Sequence, residues 1–178
     1  MVIKITPAKL DGVHYSDGSD DEIYYIAANA FGNRVRVDAA DKARAGEIKN
    51  LLLAFNAKGT AFDLTERGDL VPIISFCACY AFSDTLIKVA DNDLANRIAN
   101  AINGLGGKAE FCRDTLKVCG KAGLNGGSVD AGNNVSVAKA AIFAATCADS
   151  DVTVSCDADL GERFFKTFRS LGGQIEVL

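Results

Sequence analysis

The sequence has too few histidines, and the wrong cysteine spacing, for the common zinc sites. His14 is its single histidine, and its six cysteines do not form a pair of C-x-x-C motifs. A chain of this length, with 49% hydrophobic residues, can bury about 70% of its unfolded surface and does not depend on crosslinks. We therefore predict reduced, structural cysteines, a cytoplasmic location, and neither a metal nor a cofactor.

Long apolar runs and an excess of positive charge are also missing. The very apolar segment at 70–82, LVPIISFCACYAF, has thirteen residues, whereas a membrane-spanning helix needs roughly 20. The N-terminal segment MVIKITPAKL lacks the apolar core of a signal peptide. A net charge of −4 argues against nucleic-acid binding, which usually requires a basic patch. The sequence therefore predicts a protein that binds neither membranes nor nucleic acids.

Two segments have the composition of ligand-binding loops but lack the required order of residues. The glycine-rich segment 120–134 does not contain G-x-x-x-x-G-K-[ST], so we interpret it as a flexible connector rather than a phosphate-binding loop. An acidic run lacks the spacing of an EF-hand, and we interpret it as a solvated helix start, where negative charge is favoured. That run consists of Asp17, Asp20, Asp21 and Glu22.

What the chain does contain is an internal repeat. The segment DLANRIANAINGLGGKAEF begins at Asp93, and DLGERFFKTFRSLGGQIEV begins at Asp159, an offset of 66 residues with seven of nineteen positions identical. A fainter copy runs from Asp41 to Phe62. Repetition on this scale indicates copies of one supersecondary unit.

Each copy is predicted to contain an apolar helix, a short strand, an amphipathic helix and a closing strand. The apolar helices carry almost no charge, so they should be buried on all sides. They are predicted at 23–31, 70–82 and 136–147. In the last copy the second helix has one apolar stripe, which includes Phe164 and Phe168, and a charged opposite face.

The second helix of each copy should begin at an aspartate. Asp41, Asp93 and Asp159 are suited to accept a hydrogen bond from an unpaired backbone N–H at the helix start. Gly106 and Gly172 follow the last leucine of the helix in two copies, where a residue with positive φ is expected.

These patterns predict one α/β domain over 1–178. After an N-terminal strand at 2–5, three α-β-α-β repeats should surround a pseudo-threefold axis, with parallel buried helices inside and sheets outside. The repeats are predicted at about 22–64, 70–119 and 135–178.

Four segments carry a resemblance to a known family. They are IKITPAKLDG at 3–12, DLTERGDLVPIISFCACYAF at 63–82, RIANAINGLGG at 97–107 and FFKTFRSLGG at 164–173. They resemble the 5-enolpyruvylshikimate-3-phosphate (EPSP) synthases, or 3-phosphoshikimate 1-carboxyvinyltransferases, of the shikimate pathway of aromatic amino acid biosynthesis. Proteins of that family have two lobes of three repeats each, with the active site in the cleft between them. This chain resembles the lobe that contains both termini.

The resemblance implies that most of the family's basic cleft residues are replaced here. The family transfers enolpyruvyl from phosphoenolpyruvate to shikimate 3-phosphate, and these two anions need Lys and Arg to bind them. The matching positions in this chain are instead acidic: Asp17, Glu22, Asp93 and Asp159. The family's Asp-His-Arg, at the start of the last buried helix, is matched by Asn134, Val135 and Ser136.

Two matched positions are retained. Asp69 corresponds to the family's catalytic base, although its place before a buried helix also suits an N-terminal cap, which we favour because the basic partners are replaced. Arg97 corresponds to a substrate-binding arginine, although Arg163 at the equivalent place of the next repeat favours a repeated structural role.

The resemblance therefore implies an EPSP synthase-like domain that is inactive alone, and whether the chain belongs to an enzyme stays open. The alternative is half of a split enolpyruvyl transferase that acts only with a partner lobe. The candidate partners are a second EPSP synthase-like lobe and a small anionic metabolite.

Overall fold

The computed structural model describes residues 1–16 and 18–178. The strands are β1 (Val2–Thr6), β2 (Asp11–Tyr15), β3 (Arg34–Asp38), β4 (Thr60–Asp63), β5 (Thr85–Lys88), β6 (Ala109–Cys112), β7 (Thr115–Val118), β8 (Gly127–Asp130), β9 (Val152–Ser155) and β10 (Gln174–Val177). The helices are α1 (Glu22–Ala27), α2 (Lys42–Ala54), α3 (Val71–Ala78), α4 (Asn92–Gly104), α5 (Val135–Ala145) and α6 (Glu162–Ser170). A 3-10 helix at Ala28–Phe31 extends α1.

The core consists of three apolar helices, each of which connects two parallel strands. Helix α1 joins β2 to β3, α3 joins β4 to β5, and α5 joins β8 to β9. The three helices pack against one another, and every residue of α3 is buried. Their sequences offer no polar face, which is why they occupy the centre. The predicted fold class, with buried helices inside and sheets outside, is confirmed.

Two of the sheets have the same strand pattern. In the order β4-β5-β7-β6, a parallel pair is followed by two antiparallel strands, and the order β8-β9-β1-β10 repeats this pattern. The N-terminal strand β1 therefore completes the sheet of the last repeat. Within residues 1–16 and 18–178, β2 and β3 pair only with each other.

Each buried helix is preceded by a strand. In the first and last units the sequence pattern did not predict this strand. Strand β8, Gly127–Asp130, lies inside the segment 120–134, so the interpretation of that whole segment as a flexible connector is wrong. Strands β2 and β8 are polar and contain glycine, and they lack the apolar alternation of a typical strand. Their conformation comes from pairing with β3 and β9.

The predicted helix caps are correct at one position and wrong at two. Asp41 accepts a hydrogen bond from the Arg44 N–H at 2.9 Å, as predicted. Asp91, rather than Asp93, caps α4, because its extended backbone directs the carboxylate to the Leu94 N–H. At α6 the N-cap is Gly161, and the Asp159 carboxylate accepts from the Gly161 N–H.

In the part of the chain that the structure describes, no helix has the length and apolar character needed to cross a bilayer.

Candidate functional site

The starts of the buried helices surround a cavity of about 490 Å³. Its lining includes Tyr24 of α1, Asp69 just before α3, and Ser136 and Lys139 of α5. The N-terminal ends of α3 and α5 contribute unpaired backbone N–H groups and partial positive charge, an arrangement that favours anions. This cavity is therefore the first place to look for a phosphate or carboxylate site.

The arginine of this cavity is already paired with carboxylates. Arg44 Nη2 lies 3.0 Å from Asp69 Oδ2, and Arg44 Nη1 lies 3.2 Å from Asp20 Oδ1. Arg67 Nε lies 3.3 Å from Asp69 Oδ1, and Arg67 also pairs with Glu47. The result is a chain of alternating positive and negative groups that starts in the cavity lining, at Asp20, Arg44 and Asp69, and continues outside it to Arg67 and Glu47.

The lysine of the cavity is paired as well. Lys139 Nζ lies 2.6 Å from Asp21 Oδ1, and the two side chains are 11% and 18% exposed. The ammonium group also lies 5.0 Å from the centroid of the Phe164 ring. The prediction of a solvated acidic helix start is therefore wrong for Asp21, which contact with α5 partly buries. Asp17, in the same run, lies outside the described residues.

Tyr24 is a member of the site that sequence reasoning missed. Burial raises the pKa of Tyr24 to about 12, nearby aspartates add to the increase, and a hydrogen bond with Ser136 acts in the opposite direction. The phenol is therefore protonated at neutral pH. The tyrosine lies within an apolar run, IYYIA, so the sequence indicated only a core position.

Asp69 does not act as the helix cap that we favoured. Leu70 occupies the N-cap position of α3, and both Asp69 carboxylate oxygens accept hydrogen bonds from arginine side chains. The cap interpretation is therefore wrong. The reason lies in Arg44 and Arg67, whose charged side chains bind the carboxylate more strongly than a neutral backbone N–H would.

Arg97 lies in a different cavity, of about 510 Å³, together with Asp93 and Asp130. This cavity shares no lining residue with the first one. Arg97 Nη1 also lies 2.7 Å from the position that a Cβ would take at Gly132, so the guanidinium packs closely on that glycine. The structure thus places Asp69 and Arg97 in separate cavities.

The remaining matched positions lie at or just before helix starts. Val135 and Ser136 line the cavity of Asp69, and Asn134 caps α5 by accepting from the Val137 N–H at 2.9 Å. Glu22 accepts a hydrogen bond from the Ser16 hydroxyl, and Asp159 lies at the start of α6.

No protein-family model matches this chain. Similarity to individual curated proteins is nevertheless clear. The chain is 29% identical over 126 residues to the 3-phosphoshikimate 1-carboxyvinyltransferase of Clostridium acetobutylicum, which covers 66% of this chain and 29% of that protein. It is 24% identical to the enzyme of the same name from Clostridioides difficile, over 94% of this chain and 44% of that protein. The chain therefore spans less than half the length of these relatives.

Solved structures show the same fold. The enolpyruvyl transferase NikO from Streptomyces tendae matches 86% of this chain with a TM-score of 0.70 and 17% identity, over 42% of its own length. An EPSP synthase from Acinetobacter baumannii matches 99% of this chain with a TM-score of 0.65 and 13% identity, over 48% of its own length. In sequence the chain thus resembles the 3-phosphoshikimate 1-carboxyvinyltransferase (EPSP synthase) family, and in fold it is an EPSP synthase-like protein that corresponds to one lobe.

Proposed function

We propose that this chain is a non-catalytic EPSP synthase-like domain with a binding or structural role, and that it does not transfer enolpyruvyl by itself. One observation carries the proposal: the cavity at the helix starts has three carboxylates and two cations in its lining, and both cations are paired. Phosphoenolpyruvate and shikimate 3-phosphate are both anions. Holding them together requires basic groups that are free to bind them.

The acidic replacements support the same proposal. Glu22, Asp93 and Asp159 stand where the family resemblance calls for basic residues, and they add repulsion toward anionic substrates. Removal of a single stabilising donor from an active site costs roughly 10²–10³ in rate. Several replacements together should therefore leave no measurable turnover.

The direct test is phosphate release from phosphoenolpyruvate and shikimate 3-phosphate, with calorimetric titration of each compound as the binding assay. We expect no release above the uncatalysed background, and weak binding at most. Turnover that is lost in Asp69→Ala would show that Asp69 serves as a catalytic base and that the proposal is wrong. Loss of shikimate 3-phosphate binding in Arg97→Ala would identify Arg97 as a substrate contact.

A second variant separates the two roles of Asp69. If its carboxylate mainly neutralises Arg44 and Arg67, Asp69→Asn should leave each arginine with a single carboxylate partner, Asp20 or Glu47, and increase the affinity for inorganic phosphate. If Asp69 is a catalytic base, the same change should lower turnover and leave phosphate binding unchanged. Asp11→Asn is a matched control, because Asp11 is an exposed aspartate on β2, outside the lining of this cavity.

The alternative is that the chain is half of a split enolpyruvyl transferase. This alternative is favoured by the coverage of the relatives, of which the chain matches 29% and 44%. It predicts turnover when the chain is mixed with the separately produced lobe of the Clostridium acetobutylicum protein that it does not match. No activity in that mixture, with a demonstrated complex, would exclude it.

We also propose a cytoplasmic location. All six cysteines are free thiols among the residues described, which suits a reducing compartment.

A further inference from the structure

In the sheet formed by β2 and β3, strand β3 is an edge strand, whereas the corresponding strands of the other two sheets, β5 and β9, are paired on both sides. In those sheets the second strand of the parallel pair, β5 or β9, is followed by an antiparallel strand, β7 or β1. In the part of the chain described here, β3 has no such neighbour. An unpaired edge strand is a template for another strand.

Only part of this edge is open to a new strand. The Arg34 N–H donates to the Leu10 carbonyl, and the Asp38 carbonyl accepts from the Ser16 N–H, so these two residues of β3 face β2. Because the backbone groups alternate in direction, Val35 and Val37 face outward.

Asn29 already occupies the outward groups of Val35. Its side-chain amide donates to the Val35 carbonyl at 2.9 Å, and its side-chain oxygen accepts from the Val35 N–H at 3.0 Å. The outward N–H and carbonyl of Val37 have no hydrogen-bond partner among the described residues. Val37 is therefore the point at which a strand can attach.

We propose that two copies of this chain pair through β3, antiparallel and around a twofold axis at Val37. In this register Val37 of one copy faces Val37 of the other, and each N–H donates to the opposite carbonyl. The same register places Arg36 opposite Asp38 of the second copy, and it does so twice. Both side chains are exposed on the same face of β3.

A shift of the register by two residues is disfavoured in either direction. One shift would place Arg36 opposite Arg36 and would require the backbone groups of Val35, which Asn29 occupies. The opposite shift would place Asp38 opposite Asp38. Like charges directly across a strand pair are destabilising, so charge selects the register centred on Val37.

Apolar surface lies next to this edge and would add buried area to the dimer. Asn29 also lines a cavity of about 600 Å³, whose other lining residues include Leu52, Leu53 and Phe55. Leu53 is 66% exposed. Exposed apolar surface around a polar edge is typical of protein–protein contacts.

Sedimentation equilibrium over a wide range of protein concentrations tests the dimer. The unmodified chain should show a reversible monomer–dimer equilibrium. Arg36→Asp places like charges across the interface, so dimerisation should weaken by about tenfold or more. Arg34→Asp is the matched control, because Arg34 would face Ala40 of the second copy and its charge reversal should have little effect.

A mixing experiment keeps the test independent of any single variant. Arg36→Asp and Asp38→Arg should each be largely monomeric, but an equimolar mixture should form a heterodimer. The double variant, with both changes in one chain, should recover the homodimer. A chain that stays monomeric at all concentrations overturns the proposal. So does a dimer that Arg36→Asp leaves intact, or a mixture of folded variants that forms no heterodimer.

Discussion

Removal of one partner from the partly buried ion pair between Asp21 and Lys139 should destabilise the fold far more than the same change in a surface ion pair. Lys139 Nζ and Asp21 Oδ1 are 2.6 Å apart, in side chains that are 11% and 18% exposed. Lys166 Nζ and Glu162 Oε1 are 2.8 Å apart, in side chains that are 71% and 82% exposed. The two pairs share an ammonium and a carboxylate; they differ in burial, and the second pair lies within one turn of α6.

The expected free energies follow from that difference in burial. Removal of one partner from a buried pair costs about 3–5 kcal/mol, because the other charge stays buried without a partner. Both side chains keep slight contact with water, so we expect Asp21→Asn and Lys139→Met to cost about 2–4 kcal/mol each. The double variant removes both charges and should recover most of the loss. Glu162→Gln should cost less than about 0.5 kcal/mol.

Urea unfolding followed by circular dichroism measures these changes, provided that the denaturant dependence stays constant between variants. Equal losses for Asp21→Asn and Glu162→Gln would show that burial gives the Asp21–Lys139 pair no extra weight. A double variant with the summed loss of the two single variants would show that the two side chains are not coupled. Either result would refute the reasoning.

Two further predictions concern proton and thiol chemistry. Because burial raises the pKa of Tyr24 from 10.0 to about 12, the folded chain holds this proton more tightly than the unfolded chain. This contribution to the free energy of unfolding should be intact below pH 10 and fall by about 2–3 kcal/mol as the pH rises to 12, a loss that Tyr24→Phe should remove. Thiol titration of the denatured, non-reduced protein should yield six free thiols. In the native protein exposed Cys112 should react first, whereas Cys77 and Cys79, which are buried and have raised pKa values, should react slowly. A yield clearly below six, or rapid reaction of Cys77, would contradict the described core.

The buried helices could be predicted from the sequence, but two of the strands beside them could not. An apolar run such as 70–82 has no side that could face water, so its burial follows from composition alone. Strand β8 has the sequence GSVD, in which only Val129 is buried. Such a short polar segment becomes a strand through its hydrogen bonds to β9, and a local pattern carries no sign of that pairing.

The ion pairs of the candidate site could not be predicted from the sequence for a related reason. Asp21 and Lys139 are separated by 118 residues, and nothing local to either one indicates the other. The resemblance did indicate that basic residues were replaced by acidic ones. It did not indicate that Arg44 would pair with Asp20 and Asp69, or that Lys139 would pair with Asp21. Only the structure shows that carboxylates of the chain itself neutralise the two cations of this cavity.

The way in which the first repeat ends explains both why the edge of β3 is open and why the core beside it is still filled. In the last two units a residue between the buried helix and the next strand donates its N–H to the carbonyl of a buried apolar residue. These bonds run from Phe82 to Phe55 and from Asp149 to Leu124. Leu124 follows the antiparallel strands β6 and β7, whereas Phe55, at the end of the first repeat's second helix, is the C-cap of α2. The first repeat therefore fills this core position directly from its helix, without the two antiparallel strands. The core stays intact, but nothing within the described chain is left to pair with Val37, and this is why a second chain can.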